Sequence, residues 1–192
     1  MSKAVLISIR PQWCQKIASG EKTIEVRKTK PKLETPFKCY IYCTRDKHLA
    51  FMQNQMGTNL IACMDVDAAI PVGGAIGNGK VIGEFTCERI VPITYDGGRL
   101  WCPTNAAFSP ATCLSQSEII AYIGDKGRCY GWHISDLRIY DTPKELSEFK
   151  TLCRVDADCC ACPYYNYTKM DCDGRVIGRP PQSWCYVDDA NA

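Results

Sequence analysis

Nine residues near the start, Ser19-Gly20-Glu21-Lys22-Thr23-Ile24-Glu25-Val26-Arg27, bring cations and a carboxylate together at close spacing. Lys22 and Arg27 can give charge-assisted hydrogen bonds to a phosphate or a base carbonyl, and Glu25 can accept from an exocyclic amine. Thr23, Ile24 and Val26 are β-branched and favour a strand. Strand alternation then puts Thr23, Glu25 and Arg27 on one face and Ile24 and Val26 on the other. Two arrangements fit this pattern. In one, the apolar residues face inward and the Glu/Arg pair is a solvated outer surface that contributes little. In the other, Lys22, Glu25 and Arg27 line a solvent-accessible cleft for an anionic or nucleobase-like ligand. Trp13, Tyr130 and Trp132 can each supply a stacking surface for such a ligand or be core residues.

The elements that must hold these side chains can be read on either side. Ala4 to Ile9 is a short apolar strand, and Trp13 to Ala18 is an amphipathic helix that Gly20 stops. Residues 3–44 therefore read β-α-β-β, with Phe37 to Cys43 as a further strand. Asn78-Gly79 is a turn signal before a strand over 80–86. The preceding glycine-rich run, 73–79, lacks the Lys-Ser/Thr pair of a phosphate loop. Residues 80–95 read as one or two strands interrupted at Pro92. Ser115 and Glu118 form a capping box for a helix to about Tyr122. Tyr130 to Tyr140 is a long strand, and 141–149 a capped helical turn with Pro143 at its first position. Tyr186 and Val187, after Pro180-Pro181, form a closing strand. The similarity of Pro11-Gln12-Trp13-Cys14 to Pro181-Gln182-Ser183-Trp184-Cys185 reads as chance. Many strands with few short helices predict a small closed barrel.

Gly20, Lys22, Glu25 and Arg27 also fill all four fixed positions of the pattern G-x-K-x-x-E-x-R. In this respect the chain resembles the activating-signal-cointegrator homology (ASCH) family, whose members place the motif after an N-terminal strand and helix. The resemblance implies an α+β fold, a PUA-like mixed β-barrel with short flanking helices, over residues 1–150. A cysteine-rich insertion at 151–178 and a closing strand and tail at 179–192 complete the expected organisation. It implies a module that binds RNA or a modified nucleoside through Lys22, Glu25, Arg27, Trp13, Tyr130 and Trp132. A second implied activity is hydrolysis of N4-acylcytidine-type nucleosides, or of RNA, with Lys22 as base and Glu25 beside it. The position three residues after the lysine is Glu25 rather than the threonine of such hydrolases; Thr23 and Glu84 are the nearby alternatives. A third is a protein-interaction regulator that uses the fold as a scaffold.

Composition bounds these readings. The net charge of +2, from 23 basic and 21 acidic residues, argues against avid, sequence-blind binding to long duplexes. Arg27-Lys28-Thr29-Lys30-Pro31-Lys32 is a local basic run, either a solvated loop or a phosphate-contacting rim. No signal peptide or membrane-spanning stretch is read, so the expectation is a soluble, cytoplasmic protein without a membrane partner. Fourteen cysteines are then expected as thiols. Cys39, Cys43, Cys63 and Cys87 lie in strand-like surroundings and read as core. Cys153, Cys159, Cys162 and Cys172 supply four thiolates in a segment too poor in aliphatics to build its own core. They predict a structural zinc ion, with Cys160 left over, though an iron–sulfur cluster or free thiols also fit.

Overall fold

The computed structural model describes residues 3–54, 62–65, 74–102, 108–152, 163–166, 168, 171–172 and 174–189. The chain opens with β1 (Lys3–Ile9), α1 (Pro11–Ala18), β2 (Ile24–Arg27) and β3 (Phe37–Cys43). A small three-stranded sheet follows, from β4 (Leu49–Asn54), β5 (Ala62–Asp65) and β6 (Gly74–Ile76). Next come β7 (Val81–Asp96), β8 (Arg99–Trp101), the helices α2 (Phe108–Thr112) and α3 (Gln116–Ile123), and β9 (Arg128–Lys144). The C-terminal part carries β10 (Lys150–Thr151), β11 (Tyr165–Asn166), β12 (Asp171–Cys172), β13 (Arg175–Val176) and β14 (Trp184–Asp188).

The main sheet runs β13-β10-β14-β1-β3-β7-β9-β2, with β8 added alongside β7. Only β1 and β3 are parallel, because α1 and β2 intervene between them; the other neighbours are antiparallel. This is the expected α+β class of mixed, PUA-like barrel-type sheet with short helices. The expected closure is corrected: among the described residues β2 and β13 end the sheet and do not pair. Side chains bridge the opening instead. Trp184 Nε1 donates to Thr29 Oγ1 at 3.0 Å, and the Lys32 amide donates to the Tyr186 hydroxyl at 2.7 Å. A four-residue β2 followed by a loop with Pro31 offers no further ladder to complete a barrel.

Period-2 alternation in β1 and β3 divides the core between the two faces of the sheet. Val5, Ile7, Ile9, Cys39, Ile41 and Cys43 pack with Phe85, Cys87 and Trp132, under Cys14 and Ile17 of α1. Ala4, Leu6, Tyr40 and Tyr42 pack on the other face with Val81, Tyr140, Phe149 and Val187. Cys39, Cys43 and Cys87 are fully buried as expected, while the side chain of Cys63 lies outside the described residues.

Pro92 does not interrupt β7. It pairs with Tyr130 of β9, and its other edge lies between the stretches bound by β3 and β8, where no ladder bond is required. Pro143 likewise sits inside β9, near its end, and only Leu146–Glu148 turns as a short 3-10 helix. Asp136, at φ 47°, marks a bulge in β9 where the register against β7 shifts. At Gly83 a Cβ would lie 2.4 Å from the Arg138 carbonyl oxygen, so only glycine permits this strand approach. No helix among the described residues is long and apolar enough to cross a membrane.

Candidate functional site

Helix α1 starts on Pro11, acceptable at a first turn, and ends where Gly20 takes φ 79°. The Gly20 amide donates to the Ile17 carbonyl at 3.0 Å and the Lys22 amide to the Lys16 carbonyl at 2.9 Å. That reversal delivers Lys22 to the start of β2. There Glu25 pairs with Trp132 and Arg27 with Tyr130 of β9, so both charged residues share the face of the buried Trp132. Ile24 and Val26 take the opposite face, in a cluster with Ile93, Ile119, Ile123 and Cys129 under α3. Strand parity is therefore as read, but the inside and outside are exchanged. The charged face turns toward the main core, and the apolar face is covered by a helix.

Lys22, Glu25 and Arg27 are consequently buried, at 3%, 6% and 8% exposure, rather than solvated. They form one chain of charge. Lys22 Nζ lies 3.4 Å from Glu25 Oε2, and Arg27 Nη2 lies 3.0 Å from Glu25 Oε1. Lys22 Nζ donates to the Thr112 carbonyl at 2.6 Å and stands 5.2 Å from the centre of the Trp13 ring. Arg27 Nη2 donates to the Ser8 carbonyl at 2.6 Å, and Nη1 to Ser183 Oγ at 3.4 Å. Glu25 Oε2 and Arg27 Nε, both buried, make no hydrogen bond. Beneath them burial pushes the Cys14 thiol well above its ordinary value of 9.0, with Cys43 and Glu25 adding to the effect and Arg27 opposing it.

These three residues line a cavity of about 820 Å³. Trp13, Tyr122 and Leu114 give it apolar surface; Arg10, Lys28 and Lys126 stand at its exposed rim, and Glu118 is the further carboxylate. Five cations against two carboxylates make the wall electropositive. Lys28 Nζ lies 5.2 Å over the Tyr122 ring, whose phenol burial pushes up, opposed by Arg27. Of the basic run, Lys28 and Thr29 reach the cavity, whereas Lys30 lies 5.9 Å over Tyr130.

Two aromatic expectations are corrected. Trp132 is fully buried, with Phe37 and Trp184 each at 6.0 Å between ring centres, and does not line the cavity. Tyr130 is partly buried against the same core and is also outside the lining. Facing the sheet's apolar interior, both rings were claimed by packing. Of the alternative hydrolase residues, Thr23 is exposed with its amide bound to the Ala111 carbonyl, and Glu84 accepts from the Tyr140 hydroxyl at 2.6 Å on the other face of the sheet. His133, which pairs with Ile24 of β2, has a buried Nε2 without a hydrogen bond, and burial lowers its pKa.

Ser8, Tyr122, Lys126, Gln182 and Ser183 are site residues that local patterning did not reveal. One signal was present. The two Pro-Gln segments that read as a chance similarity both border the cavity, through Trp13 on one side and Gln182 and Ser183 on the other. Of the expected zinc ligands, Cys153, Cys159 and Cys162 lie outside the described residues, as does the side chain of Cys172.

No protein-family model matches the chain, and no curated protein does. Among solved structures it is similar to an ASCH protein from Zymomonas mobilis, at 18% identity and a TM-score of 0.55, over 97% of this chain and 88% of that one. It is similar also to a tyrosine-to-phenylalanine mutant of the Zymomonas mobilis protein, at 19% identity and a TM-score of 0.53, over 98% of this chain and 92% of that one. With nearly the whole of both chains superposed, and the motif at the turn from α1 into β2, the fold of this chain is the ASCH fold.

Proposed function

We propose that the cavity built on Gly20, Lys22, Glu25 and Arg27 binds RNA or a modified nucleoside. The observation that carries this reading is the buried Lys22–Glu25–Arg27 chain on an electropositive wall, with hydrogen-bonding capacity left over at Glu25 Oε2 and Arg27 Nε. Buried polar atoms without a hydrogen bond, such as Arg27 Nε and Glu25 Oε2 (which has only its ion pair with Lys22), mark places where a ligand can supply the missing bond. Glu25 accepts from a base amine, Arg27 and Lys22 give to a carbonyl or phosphate oxygen, and Trp13 offers a ring face. The cations at the rim suit the phosphate of a nucleotide.

Calorimetry with cytidine, N4-acetylcytidine, the nucleoside monophosphates and a short RNA tests this. Replacing the exposed pair Lys28→Ala and Lys126→Ala leaves folding intact and weakens the phosphate-bearing ligands about three- to tenfold. Arg27→Lys keeps the charge but loses the planar fork, and weakens every ligand. Unchanged affinity in both variants would remove this cavity as the binding site. The nearness of Lys22 Nζ and Glu25 Oε2 favours a second reading, an amide hydrolase with Lys22 as base. Acetate release from N4-acetylcytidine, lost in Lys22→Met, would put that reading first. On the sequence alone we also propose that Cys153, Cys159, Cys162 and Cys172 hold a structural zinc ion.

A further inference from the structure

Beside the main cavity lies a second, of about 740 Å³. Ser8, Thr44 and Gln182 belong to the walls of both, so the two cavities adjoin across the end of β1. The sill between them is firmly held. The Ser8 amide donates to the Ser183 carbonyl at 2.9 Å, Ser8 Oγ donates to the Pro181 carbonyl at 2.6 Å, and the Thr44 amide donates to the Ile9 carbonyl at 2.8 Å. Gln182 is exposed on top of it.

The second cavity has its own cation and its own apolar surface. Arg45 is exposed on its wall, and its side chain makes no ion pair or hydrogen bond among the described residues. Its stem is laid against Gly79, where a Cβ would come within 3.0 Å of Arg45 Nε. Glu145, the carboxylate of this cavity, is already paired with Lys80 at 2.8 Å. Leu146, Ile177, Pro180 and Pro181 make up much of the remaining wall. A cation with free donors beside an aliphatic surface can take a nucleotide's phosphate and pack against its base.

We infer that this second cavity receives the neighbouring nucleotide of a single-stranded RNA whose first base occupies the main cavity; the inference rests on the nucleotide-binding reading of the main cavity. Each cavity falls within the roughly 300–1,000 Å³ that accommodates one small ligand, so a free nucleoside leaves the second cavity unused. Arg10 on the main wall and Arg45 on the second flank the sill, where the phosphate joining the two nucleotides passes. A duplex does not fit, because both bases must be splayed from the stack to enter.

The test is calorimetry with the four nucleoside monophosphates and a mixed-sequence RNA hexamer, on wild type and Arg45→Glu. The hexamer binds wild type at least about tenfold more tightly than the best monophosphate, the worth of one more stacked or phosphate-bound nucleotide. Arg45→Glu brings the hexamer to the monophosphate level, leaves monophosphate affinity unchanged, and flattens the hexamer's salt dependence by about 0.7 in log–log slope. Equal affinity for hexamer and monophosphate, or a hexamer affinity indifferent to Arg45→Glu, overturns the inference and leaves the main cavity's reading standing. If wild type binds neither class, the nucleotide-binding reading itself falls, and the inference with it.

Discussion

Arg27 is both a partner of Glu25 and a strap across the open side of the sheet: Nη2 is 3.0 Å from Glu25 Oε1 and donates to the Ser8 carbonyl at 2.6 Å. The same guanidinium thus joins β2, at one end of the main sheet, to the end of β1, four strands along its path. Site and fold share this side chain, whose carboxylate and carbonyl partners hold a charged residue at 8% exposure on the open side of the sheet.

It follows that the motif residues matter to stability, against the expectation drawn from an exposed cleft. Glu25→Ala leaves Lys22 and Arg27 buried without their common carboxylate and costs about 3–5 kcal/mol in urea unfolding. The triple replacement Lys22→Met, Glu25→Leu, Arg27→Met recovers most of that loss, because no charge is then stranded. A Glu25→Ala cost below about 1 kcal/mol, the range of exposed pairs, would show that water reaches the carboxylate in the folded protein.

Helix α3 depends on its cap. Ser115 Oγ accepts from the Glu118 amide at 3.3 Å, and the Ser115 amide donates to Glu118 Oε2 at 2.7 Å. Ser115→Ala lowers stability by about 1 kcal/mol in the same denaturation measurement. The Ser115 hydroxyl and amide hold the Glu118 carboxyl below its ordinary value of 4.5. A depressed folded-state pKa gives stability that is present above pH 4.5 and is lost as pH falls through the folded value. The difference between wild type and Ser115→Ala therefore narrows on acidification below that value, and a gap constant from pH 7 to pH 3 would contradict the assignment.

Thiol chemistry should separate the buried cysteines from the others. Burial pushes the Cys87 and Cys129 thiols up to about 12 and Cys185 to about 11, and Cys14 and Cys39 well above 9.0. The thiolate is the reactive form, so native protein at pH 8 leaves Cys14, Cys39, Cys87 and Cys129 unmodified by iodoacetamide. Among the cysteines whose side chains are described, Cys102 and Cys113, only partly buried, alkylate first. Peptide mass spectrometry reads the order directly, and early labelling of Cys14 or Cys39 would mean that the core under α1 opens readily.

Elemental analysis should find about one zinc per chain if the thiolates at 153–172 form a tetrahedral site. Chelation then makes that segment protease-sensitive while the main sheet, which has its own apolar cores, keeps its cooperative unfolding. Metal-free protein whose segment still resists protease would show that the cysteines order it by packing.

Local rules were sufficient for much of this molecule. The β-α-β-β opening, the helix stop at Gly20, the capping box at Ser115, the strand at Tyr186 and Val187, and the shared face of Glu25 and Arg27 all follow from interactions within a few residues. Which face of β2 is buried did not follow. Alternation gives two faces, but only the docking of α3 on Ile24 and Val26, and of β9 beside them, decides that the charged one turns inward. Packing also drew Trp132 and Tyr130 away from the cavity, and carried β7 through Pro92 because the neighbouring edge there needs no donor. Ser8, Gln182 and Ser183 reach the cavity only because β14 pairs with β1, bringing residues more than 170 positions apart within hydrogen-bond distance. Sequence by itself determined the chemistry available at Lys22, Glu25 and Arg27; tertiary pairing decided their burial, their partners and the open side of the sheet on which they act, because burial is a property of what covers a strand rather than of the strand.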